Sequence, residues 1–217
     1  LQHLDMSDRF SMANMAIEAG AKAGLFEADE MTRSFIRARG REDGLYLQSD
    51  PDAEYAAVYE FDVSEFEPFV AVPFIPENVK PVSQLGDVEI DQAVIGMCTN
   101  GNLEDLRAAA EILKGHQIHP RVRAVIIPGS QKVYLDALRE GLIEIFIQAN
   151  CSVSTPTCGP CLGGHMGVLA AGEKCISTSN RNFRGRMGHT SSELYLANPY
   201  VAAASAIAGR IISPDDL

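Results

Sequence analysis

Val88-Glu89-Ile90-Asp91-Gln92-Ala93-Val94-Ile95-Gly96-Met97-Cys98-Thr99-Asn100-Gly101-Asn102-Leu103 is the stretch on which the fold turns. Val88–Met97 is an apolar, β-branched run of strand length, the pattern of a strand buried on both faces. Asn100 or Asn102 can then cap a helix over about 103–114, which puts Leu103, Leu106, Ala110 and Leu113 on one face and Gly115 just after the end. The same alternation continues. Val122–Ile127 reads as a second buried strand, stopped by Pro128-Gly129-Ser130, and Lys132–Glu140 as a helix ended by Gly141. Leu142–Ala149 reads as a further helix and Lys174–Thr178 as a short strand. Asn198-Pro199 opens an Ala-rich helix that Gly209 closes. Strands alternating with helices predict an α/β fold, a mainly parallel sheet with helices on both faces.

Upstream of this core the pattern differs. Residues 7–25 read as a helix with Gly24 at its end, and 28–39 as another stopped by Gly40. Tyr59, Phe61 and Val63 alternate with Glu60 and Asp62, the period of a half-buried strand. Pro68, Pro73, Pro76 and Pro81 are incompatible with regular helix or a central strand. The expected organisation is part of one α/β domain over 1–75, a linker over 76–87, and a βαβ domain over 88–217.

The 217 residues are 46% hydrophobic and 22% charged, with a formal net charge of -11. So acidic a surface disfavours nucleic acid and anionic membrane as partners, though local arginines can still hold an anionic substrate. No apolar run is long enough to span a bilayer, and no targeting segment is visible. The chain begins at Leu1, which suggests a fragment. An odd set of five cysteines without secretory signals points to a reducing, cytoplasmic setting.

In open α/β sheets ligands collect at the C-terminal ends of strands. Three segments fall at such ends: Cys98-Thr99-Asn100-Gly101; Thr157-Cys158-Gly159-Pro160-Cys161-Leu162-Gly163-Gly164; and Ser179-Asn180-Arg181-Asn182-Phe183-Arg184-Gly185-Arg186. Cys158 and Cys161 can reach one metal centre, and Cys98 would add a third thiolate, leaving an open position for chemistry. Alone, the Cys-x-x-Cys also fits a thioredoxin-type dithiol, and His165 could complete a structural zinc site. The absence of tryptophan and the Leu-Gly-Gly-His that follows favour metal over redox chemistry. Cys151 and Cys175 read as buried apolar residues. Arg181 and Arg186 suit carboxylate recognition. Asn14 and Glu18, four apart on the first helix, project from one face.

These motifs, in this order and together with Asn14-Met15-Ala16-Ile17-Glu18-Ala19-Gly20-Ala21, resemble the aconitase superfamily. Within it they resemble the large subunits of the two-subunit 3-isopropylmalate dehydratase and homoaconitase group, and the likeness runs nearly end to end. The resemblance implies that Cys98, Cys158 and Cys161 ligate a [4Fe–4S] cluster whose fourth iron binds substrate or water. It also implies that Arg181 and Arg186 bind substrate carboxylates, that Asn14 and Asn180 flank the cluster, and that Glu18 hydrogen-bonds the leaving hydroxyl. The implied activity is a cytoplasmic hydro-lyase of leucine or lysine biosynthesis that isomerises a hydroxy polycarboxylic acid. The implied partners are a small subunit and the earlier half of the large subunit, without which this half would be inactive. A thiol–disulfide oxidoreductase using Cys158 and Cys161, or a zinc or RNA-binding module, are the competing readings.

Overall fold

The computed structural model describes residues 3–41 and 44–217. It divides into two compact units, Leu1–Phe66 and Glu67–Leu217.

The first unit contains α1 (Met6–Met15) and α2 (Glu30–Arg37). Each begins at an aspartate. The Asp5 carboxylate accepts from Asp8 N at 2.9 Å, and that of Asp29 from Thr32 N at 3.0 Å, which satisfies donors that the first helical turn leaves without partners. Arg9 joins the two starts: its Nη1 and Nη2 donate to Asp29 at 2.9 and 2.6 Å, and its Nε to Leu4 O at 3.1 Å. The Arg9 guanidinium holds the Asp29 carboxyl well below the usual carboxylate range. The helix expected over 7–25 is shorter. After Met15 it tightens into a 3₁₀ turn, Ala16–Ala19, and stops at Gly20 in the left-handed region. Asn14 and Glu18 therefore lie on either side of a change in helix pitch, not on one regular α-helical face.

The strand expected at 59–63 is absent. Tyr59, Glu60, Phe61, Asp62 and Val63 are all exposed and irregular. Alternation makes a strand only where a neighbouring strand pairs and a core receives one face. Among the described residues of this unit only Ser7 and Arg9 are buried.

The second unit is built on a seven-stranded sheet in the order β2-β1-β7-β6-β3-β4-β5. The strands are β1 (Phe69–Ala71), β2 (Val79–Pro81), β3 (Gln92–Gly96), β4 (Arg123–Ile127), β5 (Ser152–Val153), β6 (Lys174–Ser177) and β7 (Glu193–Leu196). β7, β6, β3, β4 and β5 are parallel, and β1 and β2 form an antiparallel hairpin at one edge. The 76–87 segment, expected as a linker, thus supplies an edge strand. Pro81 sits at that strand's end, where its missing N–H breaks no central ladder.

The alternation of burial is the two-residue strand period. Ala93, Ile95, Ala124, Ile126, Ile176 and Tyr195 face one core. Val94, Val125, Ile127, Cys175, Leu194 and Leu196 face the other. The first core receives α3 (Leu103–Leu113), α4 (Gln131–Arg139), α5 (Leu142–Gln148) and α6 (Pro199–Ala208), through Leu106, Ala137, Phe146 and Val201 among others. The second receives Met97, Cys161, Leu169 and Met187 from irregular segments. The helices expected on both faces are therefore confined to one. The long β5–β6 connection that carries Cys158 and Cys161 covers the opposite face.

Cys175 and Cys151 are buried, and burial pushes both thiols up to about 12. A raised pKa stabilises the fold while the unfolded thiol stays protonated. That contribution is lost as pH rises from about 8.5 toward the folded value. Denaturant midpoints of the metal-free chain should thus fall between about pH 9 and 12, and Cys175→Ala should make the fall shallower.

Candidate metal centre

From β3 the chain moves outward through β4 to β5, then returns to the other side of β3 for β6 and β7. The switch point lies between β3 and β6, and in such sheets the crevice beyond the strand ends there is the ligand site. Two of the three motifs occupy its lips. Cys98 follows β3, and Ser179–Arg186 follows β6.

The two lips are joined by hydrogen bonds. Gly96 N donates to Thr178 Oγ1 at 2.8 Å, and Thr178 N to Val94 O at 3.0 Å. The β3 end is then forced to turn. Gly96 has φ +116, and a Cβ there would lie 2.0 Å from Ile127 O, so only glycine fits. Met97 also has positive φ (67), a conformation that costs a non-glycine residue about 1–3 kcal/mol. It is held by Met97 N donating to Ile127 O at 2.7 Å and by its buried side chain. The turn leaves Cys98 exposed beyond the sheet. Behind it, the buried Asp105 carboxylate accepts from Asn102 N at 2.9 Å and from Asn100 Nδ2 at 3.1 Å, which fixes the Cys98–Asn102 loop to the start of α3. Of the two expected caps, Asn102 is the one used.

The Cys158–Cys161 segment is a 3₁₀ turn, Gly159–Leu162, lying over the end of β4. Gly159 packs directly against Ile127 Cδ1. Cys158 is exposed and Cys161 buried in the second core. Thr157 Oγ1 and His165 Nε2 are 3.0 Å apart and close the base of this loop, so the structure places His165 on Thr157.

The arginine segment is anchored by residues whose role sequence reasoning missed. Asn182 is fully buried, and its Nδ2 donates to Val72 O at 3.0 Å. Arg184 stacks 3.9 Å over the Phe74 ring and donates to Thr190 O at 3.2 Å. Arg181 Nη1 donates to Asn180 O at 2.7 Å. Arg186 reaches the second motif, its Nη2 donating to Cys161 Sγ at 3.6 Å. Only the partner side chains' positions, which topology sets, distinguish anchors such as Asn182 and Arg184 from Asn180 and Arg181. Asn14 and Glu18 lie in the other unit; within this unit the contact seen between two of the motifs is that of Arg186 with Cys161.

The donor set suits an iron–sulfur cluster. All five cysteines are free thiols. Arg186 Nε, on the side chain that reaches Cys161, and Ser179 Oγ are buried without a partner among the described residues, and such groups cost about 1–3 kcal/mol unless an acceptor meets them. Among the described residues no three His, Cys, Asp or Glu side chains converge closely enough to hold one metal ion. In a cluster each thiolate binds a separate iron, so its thiols need not meet at one ion.

Comparison with known proteins gives the family. The model of the aconitase (aconitate hydratase) family matches residues 1–87 and 80–209. The chain belongs to the aconitase family. Three similar relatives are named 3-isopropylmalate dehydratase large subunit. That of Syntrophus aciditrophicus is 58% identical over 214 residues, 99% of this chain and 51% of the relative. That of Hydrogenobaculum sp. (strain Y04AAS1) is 59% identical over 217 residues, 100% and 51%. That of Aquifex aeolicus is 58% identical over 222 residues, also 100% and 51%. The chain spans about half the length of the curated relatives it matches. The dithiol-oxidoreductase reading gains no support from this aconitase-family membership. Among the described residues no helix is long and apolar enough to cross a membrane.

Gly96→Ala tests the turn that presents Cys98. The added methyl should cost about 1–3 kcal/mol in denaturant unfolding, from overpacking against the β4 backbone. It should also slow labelling of Cys98 by a thiol reagent relative to Cys158.

Proposed function

We propose that this chain is the cluster-holding part of a hydro-lyase large subunit that isomerises a hydroxy polycarboxylic acid of the 3-isopropylmalate type. The observation that carries the proposal is that Cys98 and the arginine motif flank one switch point and that Arg186 of the latter reaches Cys161 of the other cysteine motif. Names of relatives 57–59% identical over essentially the whole chain favour 3-isopropylmalate, and with it leucine biosynthesis, over homocitrate and lysine biosynthesis.

Cys98, Cys158 and Cys161 would hold a [4Fe–4S] cluster, and Asn180 would border it. Such a cluster, with one iron lacking a protein thiolate, supplies a Lewis acid for the hydroxyl that leaves. The chain's own residues do the rest of the work assigned to this half. Arg181 and Arg186 hold substrate carboxylates through charge-assisted hydrogen bonds, which orients the carbon that loses hydroxyl. Asn14 and Glu18 keep the roles the family resemblance implies, Glu18 as hydrogen-bond partner of the departing hydroxyl. The base that removes the carbon-bound proton is assigned to a partner: the small subunit, or the half of the large subunit that this chain does not span. The setting proposed is the cytoplasm.

Anaerobic reconstitution of the chain with iron and sulfide tests this reading. About four irons per chain and broad visible absorption are expected, both lost in Cys98→Ser and in Cys158→Ser. Absence of iron uptake by the folded chain, or uptake unaffected by Cys98→Ser, would remove the proposal. If the cluster forms, addition of the small subunit and the remaining half should produce dehydration of 3-isopropylmalate, which Arg181→Ala should lower by at least about a hundredfold through loss of a bidentate charge pair.

A further inference from the structure

Arg186 is held in a way that its assignment to carboxylate binding does not explain. Its backbone and side chain both belong to the cysteine loop's surroundings. Arg186 N donates to Phe183 O at 2.9 Å, fixing the turn that carries it. Its carbonyl lies 3.4 Å from where a Cβ on Gly163 would stand, so the loop after Cys161 runs against the Arg186 backbone. Its Nη2 donates to Cys161 Sγ at 3.6 Å, within range for a sulfur acceptor. Nε is buried with no partner among the described residues. Cys161 is the buried member of the Cys-x-x-Cys pair, packed in the second core, so its sulfur sits where a charge-assisted bond is little screened by water.

We propose that Arg186 is a positioning residue for Cys161. Its guanidinium fixes the direction of the ligand sulfur and, as a cation donating to that sulfur, raises the reduction potential of the cluster. The inference rests on the cluster reading above and deepens it. A guanidinium has five N–H donors in a rigid fork, so one edge can serve the thiolate while the rest remain for an anion. Adding an electron to a cluster adds negative charge, which an N–H donor and a nearby cation stabilise more in the reduced than in the oxidised form.

The test is a redox titration of the reconstituted chain, following the electron paramagnetic resonance of the reduced cluster, in wild type, Arg186→Gln, Arg186→Lys and Arg184→Gln. Arg184, stacked on Phe74, carries the same charge on the same loop without touching a thiolate. The expected result is a lower midpoint potential in Arg186→Gln, a smaller drop in Arg186→Lys, and none in Arg184→Gln. A folded Arg186→Gln that retains no iron, with iron retained in Arg186→Lys, would also support it. An unchanged potential in Arg186→Gln, an equal drop in Arg184→Gln, or loss of native circular dichroism in both Arg186 variants would each overturn it. Failure of the wild-type chain to take up iron would instead overturn the cluster reading.

Discussion

The bond from Gly96 N to Thr178 Oγ1, 2.8 Å across the ends of β3 and β6, joins the two strands between which the sheet reverses its order. Backbone ladders hold parallel strands side by side but stop at the last residue of each. Beyond that point, side chains must prevent the two lips of the crevice from splaying. Thr178 does so from the β6 side while its own N–H extends the ladder to Val94 O. With the lips fixed, the chain leaves β3 through a left-handed turn at Gly96 and Met97, and Cys98 emerges on the same edge as the arginine segment. The one-sided placement of the helices follows the same logic. With α3 to α6 on one face, the β5–β6 connection is free to cover the other and bring its cysteines to the end of β4.

The electrostatics are local. A chain with formal net charge -11 is a poor general home for anions. Beyond the end of β6, however, Arg181 and Arg186 bring two cations to one short loop. Three arginines outside this loop are paired with carboxylates: Arg123 with Glu173, Arg121 with Glu89 and Arg107 with Glu140, each through two hydrogen bonds. These pairs consume cationic charge away from the crevice.

Much of the second unit could be read from residues alone because its strands are buried on both faces and its helices carry clear stops. β3, β4 and α3 to α6 fall where apolar runs, caps and glycines predict them. Tyr59, Phe61 and Val63 misled for a physical reason: period-two alternation records a tendency that only a paired neighbour can realise. β1 and β2 were hidden by prolines, which edge strands tolerate. The cysteine and arginine motifs were legible as chemistry, but the neighbouring strand ends of Cys98 and Ser179–Arg186 were not, since strand order sets them and no spacing encodes it. Asn182 and Thr178 looked like neighbours of the important residues. Burial and bonds to Val72 and Gly96 make them the supports on which those residues stand.

The proposal most in need of test is that Cys98, Cys158 and Cys161 hold a multi-iron cluster and leave one iron without a thiolate. Iron-57 Mössbauer spectroscopy of the anaerobically reconstituted chain measures this most directly. The account predicts one iron site distinct from the other three, in a ratio of roughly one to three, that shifts when a hydroxy-acid substrate is added. Four equivalent irons, or a single iron site of rubredoxin-like character, would contradict it.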